Sequence, residues 1–172
     1  MPIFSATNLR SLDGLLVEQL KDLYDAESRL LVALPEMAEA ASSTDLKRAF
    51  QSHLGETQDH VRRLDQVFNI LGEGPETTTC EAMKGLLKEG KEMIEAKGDP
   101  NVKDAALIAS AQRVEHYEIA SYGTARTFAE RLGHVEAARI LQQTLDEEGA
   151  ADKKLTQIAE DSINWKASVA SQ

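Results

Sequence analysis

The chain has 172 residues, 42% apolar and 28% charged, with a formal net charge of -10, a size and balance that suit one globular domain over 1–172. Acidity of that degree opposes binding to nucleic-acid phosphates or anionic membranes, and no Lys/Arg-rich stripe offsets it. One cysteine, Cys80, excludes an internal disulfide and any Cys-based zinc site within one chain.

Aromatics make up only 5%, while Ala, Leu and Glu are frequent, which favours helix over strand. The opening MPIFSATNLR lacks a basic segment followed by an apolar run, so no signal peptide is read there. No apolar run approaches the roughly 18 residues of a membrane span. A soluble, cytoplasmic chain is expected.

The first periodic segment runs from Leu9 to Ala41. Leu16, Leu20, Leu23, Glu27, Leu30 and Leu34 fall at alternating four- and three-residue steps, one face of a helix. Pro35 lies inside it and is expected to kink the helix, because the apolar pattern resumes at Met37. SSTD (42–45) supplies N-cap residues for a second helix. Its stripe is Leu46, Phe50, His53, Thr57, His60, Leu64, Val67 and Leu71, with Glu56 beside it, and GEGP (72–75) ends it. A weaker segment, 80–98, is read as a crossover, helical in part, since Gly85 and Gly90 disfavour one continuous helix.

Asp99 and Pro100 form a helix start, with Asp99 as N-cap and Pro100 in the first position. The third long helix carries Leu107, Ala111, Val114, Glu118, Ser121, Ala125, Phe128 and Leu132, with Gly133 placed to stop it. The fourth starts near His134, with Ala138, Leu141, Leu145, Glu148, Asp152, Leu155 and Ala159 on its stripe. The tail SINWKASVASQ is expected to be poorly ordered. Two long helices, a crossover and two more long helices predict an all-α, ferritin-like four-helix bundle with one long connection and a core over about 9–162.

Each long helix has an acid on or beside its apolar stripe: Glu27, Glu56, Glu115 with Glu118, and Glu148. Each lies near the middle of its helix, and in an antiparallel bundle the middles meet. Burying one carboxylate costs several kcal/mol even after relaxation, and the stripes carry no Lys or Arg to neutralise five. The acids are therefore protonated, with raised pKa values, or they bind metal ions. Hard oxygen ligands with imidazole suit iron or manganese. The usual Glu-x-x-His of di-iron bundles is absent. Helix two offers His53-x-x-Glu56 instead, with His60 further on, and the imidazole ligand stays open between them. The candidate metal ligands are Glu27, His53, Glu56, Glu115, Glu118 and Glu148.

The other notable residues have plainer readings. Glu147 competes with Glu148, and the Leu141–Leu145–Leu155 phase favours Glu148. His116 falls off the stripe and is expected to be exposed. Asp152 is either an acceptor behind a ligand or the end of a solvated face. Tyr24, Tyr117 and Tyr122 read as packing residues, and Cys80 as inert. No Ser-His-Asp constellation, phosphate-binding loop or nucleotide motif is present, and no catalytic residue is assigned.

HLGETQDHVRRLDQVF (53–68), DAALIASAQRVEHYEIASYGTA (104–125), TLDEEGAADKKL (144–155) and LKDLYDAESRLLVALPEMA (20–38) resemble the YciF-like family of small bacterial stress-associated proteins with a ferritin-like fold. The resemblance covers residues 8–160. It implies a rubrerythrin-like bundle with a di-metal centre, a homodimer and a link to stress responses. It matches Glu27, Glu56, Glu115, Glu118 and Glu148 to rubrerythrin carboxylate ligands. A rubrerythrin also carries a Cys-ligated iron for electron delivery, which one cysteine cannot supply, so an external electron donor is implied if the protein is redox-active. The leading expectation is a di-iron or di-manganese protein handling oxygen or peroxide. The competing one is a helical stress or structural protein in which a metal serves only stability.

Overall fold

The computed structural model describes residues 10–170. Leu9, the N-terminal segment read for a leader, and the last two residues of the tail lie outside them. Among the described residues every regular element is helical: α1 (Leu12–Ala40), α2 (Thr44–Leu71), α3 (Glu81–Glu95), α4 (Pro100–Arg131), α5 (Val135–Ile158), a π-helical turn (Ala159–Ile163) and α6 (Asn164–Val169).

The helix boundaries follow local chemistry. Ser11 Oγ accepts from Gly14 N–H and Ser43 Oγ from Leu46 N–H, capping α1 and α2. Asp99 accepts from the Asn101 and Val102 amides, with Pro100 next to it as expected. Gly72 and Gly133 take φ of 72° and 84°, the left-handed conformation that lets a helix end and a Cβ-bearing residue avoids. Pro35 sits within α1 without ending it.

Two expectations change. The crossover forms a continuous α3 through Gly85 and Gly90, because Gly90 is buried against α4, where an added Cβ would lie 3.9 Å from Ser110 Cβ. The tail is not loose over its described part. It continues α5 through the π turn into α6, and Ile163 is buried in the core.

The four long helices close a ring, α1 on α2, α2 on α5, α5 on α4 and α4 on α1, with α3 lying against α4 and α1. The interior is two apolar clusters. One holds Leu30 and Leu34 of α1, Leu46 and Phe50 of α2, Leu107 and Val114 of α4, and Leu155 of α5. The other holds Leu16 and Leu20, Leu64 and Phe68, Ala125 and Ala129, and Leu141 from the same helices. Chain order within the clusters gives direction: α1 and α5 run one way, α2 and α4 the other. The end of α2 and the start of α4 therefore lie at opposite ends of the molecule. The 72–99 segment must travel that length, and α3, about 1.5 Å per residue along its axis, covers about half of it, starting beside Asp25 and Tyr117 midway along α1 and α4.

Between the two apolar clusters lies a polar layer. Glu27 of α1, His53, Thr57 and His60 of α2, Glu115 and Glu118 of α4, and Thr144 and Glu148 of α5 are all buried. Each is flanked along its own helix by one cluster on one side and the other cluster on the other. No described helix is long and apolar enough to cross a membrane.

Candidate metal centre

The polar layer is a consequence of helical spacing. Glu115 and Glu118 are three residues apart on α4, and Tyr122 is four further on, so all three share one face. His53, Thr57 and His60 do the same on α2. The face that buries Leu46, Phe50 and Leu64 also buries both imidazoles.

Two groups of potential ligand atoms result. One from each of His53, Glu115, Glu118 and Glu148 lie within 4.8 Å of one another, and so do one from each of Glu27, His60 and Glu148. Glu148 belongs to both groups. Within the first, His53 Nε2 lies 3.4 Å from Glu115 Oε1 and 3.5 Å from Glu148 Oε2. Within the second, His60 Nδ1 lies 3.2 Å from Glu27 Oε1 and 3.0 Å from Glu148 Oε1.

These approaches are close, but they do not have hydrogen-bond geometry. Both oxygens of Glu118, both of Glu148, one each of Glu27 and Glu115, and the inward nitrogens of both histidines are buried without a hydrogen-bond partner among the described residues. Leaving buried polar atoms unpaired costs about 1–3 kcal/mol each, more when they are charged. Such an arrangement persists when something else satisfies it. The donor set of carboxylate oxygen and imidazole nitrogen fits a hard or borderline divalent cation.

The electrostatics agree. Burial pushes the carboxyl groups of Glu115 and Glu118 well above the ordinary glutamate value, reinforced by neighbouring carboxylates. Burial raises Glu148 as well. Burial opposes a charge on His60, yet Glu148 and Glu27 overcome it and lift His60 to about 11. For His53, burial is likewise outweighed, by Glu56 and Glu115, and the net shift is upward. Without a metal, the layer recruits protons to supply the positive charge it lacks.

Of the six candidate ligands, five meet here: Glu27, His53, Glu115, Glu118 and Glu148. Glu56 does not. Its side chain is 41% exposed, and it reaches His53 Nδ1 from outside at 3.0 Å. As a neighbour three residues on, it lies beside the inward stripe rather than on it. His60, left open by the sequence, is fully buried in the second group. Asp152 is outside both groups, accepting from Gln112 at 3.0 Å and lying 3.3 Å from the exposed His116.

Three residues take roles at the layer that their sequence positions did not suggest. Tyr122, read as packing, donates to Glu27 Oε1 at 2.5 Å. Its four-residue spacing from Glu118 was the available signal. Glu147 accepts from His60 Nε2 at 2.9 Å and is gripped by Arg63 Nη1 and Nη2 at 2.6 and 2.8 Å. Arg63 neutralises Glu147 and not the buried group, so the stripes still supply no Lys or Arg to the inward acids. The arginine lies off the apolar stripe and reaches round the helix edge, which a stripe drawn by Cα position does not include.

A second network lies nearby. Tyr117 donates to Asp22 and lies 3.1 Å from the sulfur of Cys80. The Cys80 amide donates to Asp25 at 2.8 Å. Cys80 is buried, caps α3 through its sulfur, and has its thiol pKa raised by burial. It thus pins the start of α3 to α1 and α4.

A helical protein with a buried layer of carboxylate and imidazole, able to hold metal, is the class that this fold and site define. Over residues 11–168 the chain matches the family described as a domain of unknown function, DUF892, and it belongs to that family. It is 45% identical over 161 residues to protein YciF of Escherichia coli (strain K12), covering 93% of this chain and 97% of that one. The crystal structure of the E. coli stress protein YciF superposes with a TM-score of 0.88 at 44% identity, covering 91% of this chain and 99% of the other. YcfI of Rhodopseudomonas palustris, put forward as a structural protein, superposes with a TM-score of 0.85 at 46% identity over 89% and 98%. The chain is thus a YciF-like protein, as its sequence motifs implied.

Proposed function

We propose that the chain is a ferritin-like bundle holding two divalent metal ions, iron or manganese, and handling oxygen or peroxide under stress. One ion is assigned to His53, Glu115, Glu118 and Glu148, and the other to Glu27, His60 and Glu148. The supporting observation is the set of inward oxygens and nitrogens buried without partners. Two divalent cations carry four positive charges, which balances the four carboxylates of the layer, Glu27, Glu115, Glu118 and Glu148.

Iron or manganese in such a site supplies one-electron chemistry toward oxygen species. The chain's part is to place the ligands and keep bulk water away. Apolar clusters on both sides of the layer isolate it, and Tyr122 fixes Glu27. One cysteine provides no second, thiolate-bound iron, so reducing equivalents come from another molecule. The chain is further taken to work as a single cytoplasmic domain and, as its resemblance to the family implies, as a homodimer. Sedimentation at the mass of one chain would remove the dimer.

Anaerobic Fe(II) titration tests the metal reading, with about two irons per chain expected. No saturable binding would defeat it. Oxidation of the bound Fe(II) by peroxide then separates a catalyst from a passive binder. The alternative, a structural protein with metal as a staple, draws support from the role put forward for YcfI. It predicts that chelation changes the melting temperature alone and that Glu118→Ala removes no activity.

A further inference from the structure

The two buried histidines are each tied outward by a carboxylate and aimed inward by the opposite ring nitrogen. His53 turns Nδ1 to Glu56 at 3.0 Å and Nε2 to the group containing Glu115 and Glu148. His60 turns Nε2 to Glu147 at 2.9 Å and Nδ1 to the group containing Glu27 and Glu148. In both rings the inward nitrogen has no hydrogen-bond partner among the described residues. A carboxylate is acceptor-only when ionised, so the outward nitrogen must carry the hydrogen. When a cation displaces the inward proton, the inward nitrogen is the one that offers its lone pair to it.

We infer that Glu56 and Glu147 are positioning residues, one for each metal ion. Glu56 sets His53 to bind through Nε2, and Glu147, clamped by Arg63, sets His60 to bind through Nδ1. This rests on the two-ion reading above and adds to it which nitrogen serves each ion and what selects it. The two histidines use opposite nitrogens because they approach the layer from different levels of α2, seven residues apart. Ligating histidines commonly need such an outer partner, and losing it costs about 10–100-fold in metal affinity.

The two pairs differ in stiffness. Glu147 sits in a two-point grip from Arg63, and its side chain is 34% exposed. Among the described residues, Glu56 has His53 alone as a hydrogen-bond partner. His60 is accordingly the more rigidly held ligand, and Glu147→Ala has the larger effect.

The experiment is titration of the full chain with cobalt(II), read by visible absorption, for wild type, Glu56→Ala, Glu147→Ala and Glu147→Gln. Each alanine variant is expected to weaken one of two ions by about 10–100-fold and leave the other unchanged. Glutamine retains an acceptor oxygen, so Glu147→Gln restores most of the affinity. Long-range proton–nitrogen NMR of the zinc-loaded chain is expected to show His53 bound through Nε2 and His60 through Nδ1. Lower melting temperatures with both affinities intact would overturn the inference and leave Arg63–Glu147 as a helix staple. Equal weakening of both ions by either variant would overturn the pairing of one carboxylate with one ion. Wild type that binds no cobalt defeats the two-ion reading itself, and this inference with it. If Glu147→Ala fails to fold, Arg63→Ala loosens the same clamp, and unchanged binding in it and in Glu56→Ala refutes the assignment.

Discussion

Glu118 is the residue whose placement costs the most and explains the most. It is fully buried, and neither oxygen finds a hydrogen-bond donor among the described residues. Replacing it with an apolar residue of similar length should help the metal-free fold. Glu118→Met is expected to stabilise the metal-free chain by about 1–3 kcal/mol, the penalty of a buried polar group left without partners. The same variant should lose the stabilisation that added metal gives the wild type. Thermal melts with and without metal read both effects, and a destabilised metal-free variant would contradict this account. Tyr122→Phe acts in the opposite sense. It strips Glu27 of the 2.5 Å hydrogen bond and is expected to cost about 1–3 kcal/mol in chemical denaturation. No loss would mean that another donor reaches Glu27.

At the scale of the elements, two carboxylates hold the connections. Asp104 of α4 is buried and accepts from the amides of Ser42 at 2.8 Å and Ser43 at 2.7 Å, tying the α1–α2 turn to α4. Asp104→Ala leaves two amides without that acceptor and is expected to cost about 1–3 kcal/mol, with faster amide exchange confined to the turn and the first turn of α2. Asp25 of α1 does the same for α3, accepting from the Cys80 amide and from Arg29. Burial opposes its charge, but those two donors bring its pKa below the ordinary 3.8. A carboxyl group depressed in the fold stabilises above its unfolded value, and that support fades as pH falls through the folded one. Its pH effect is therefore confined to strongly acid solution.

For the molecule as a whole the buried layer reverses that sign. Glu115, Glu118 and Glu148 are raised in the fold, chiefly by burial, and His60 is raised by its carboxylate neighbours despite burial. Groups raised in the fold favour the native state below their unfolded values. That contribution is lost as pH climbs through the folded values. The metal-free chain is therefore expected to melt at a higher temperature near about pH 6 than near about pH 8. The metal-loaded chain should show the reverse, because protons compete with the cation for the same atoms. A metal-free melting temperature that is flat across that interval would mean the layer is already neutralised by another route.

How much of this was legible beforehand varies with the physical cause. Glu27 and Glu148 could be placed because they fall in phase with leucines on a single helix, and Ser43, Asp99 and Gly133 because capping is local. Gly85 and Gly90 suggested a broken crossover, whereas contact with α4 favours a small residue at 90 and keeps α3 whole. The tail from Ser162 read as poorly ordered because the burial of Ile163 depends on partners from elsewhere in the chain. Glu56 and Glu147 sit at stripe edges, where a rotation of a few tens of degrees separates ligand from outer partner. By itself, the sequence determined helices, caps and the level at which charged oxygens gather, since these follow from periodicity along one chain segment. Only the tertiary structure decided which carboxylates turn inward, that both histidines join them, and that Arg63 and Tyr122 reach the layer from the side. Those outcomes depend on the relative rotation of packed helices, a quantity that no single helix encodes.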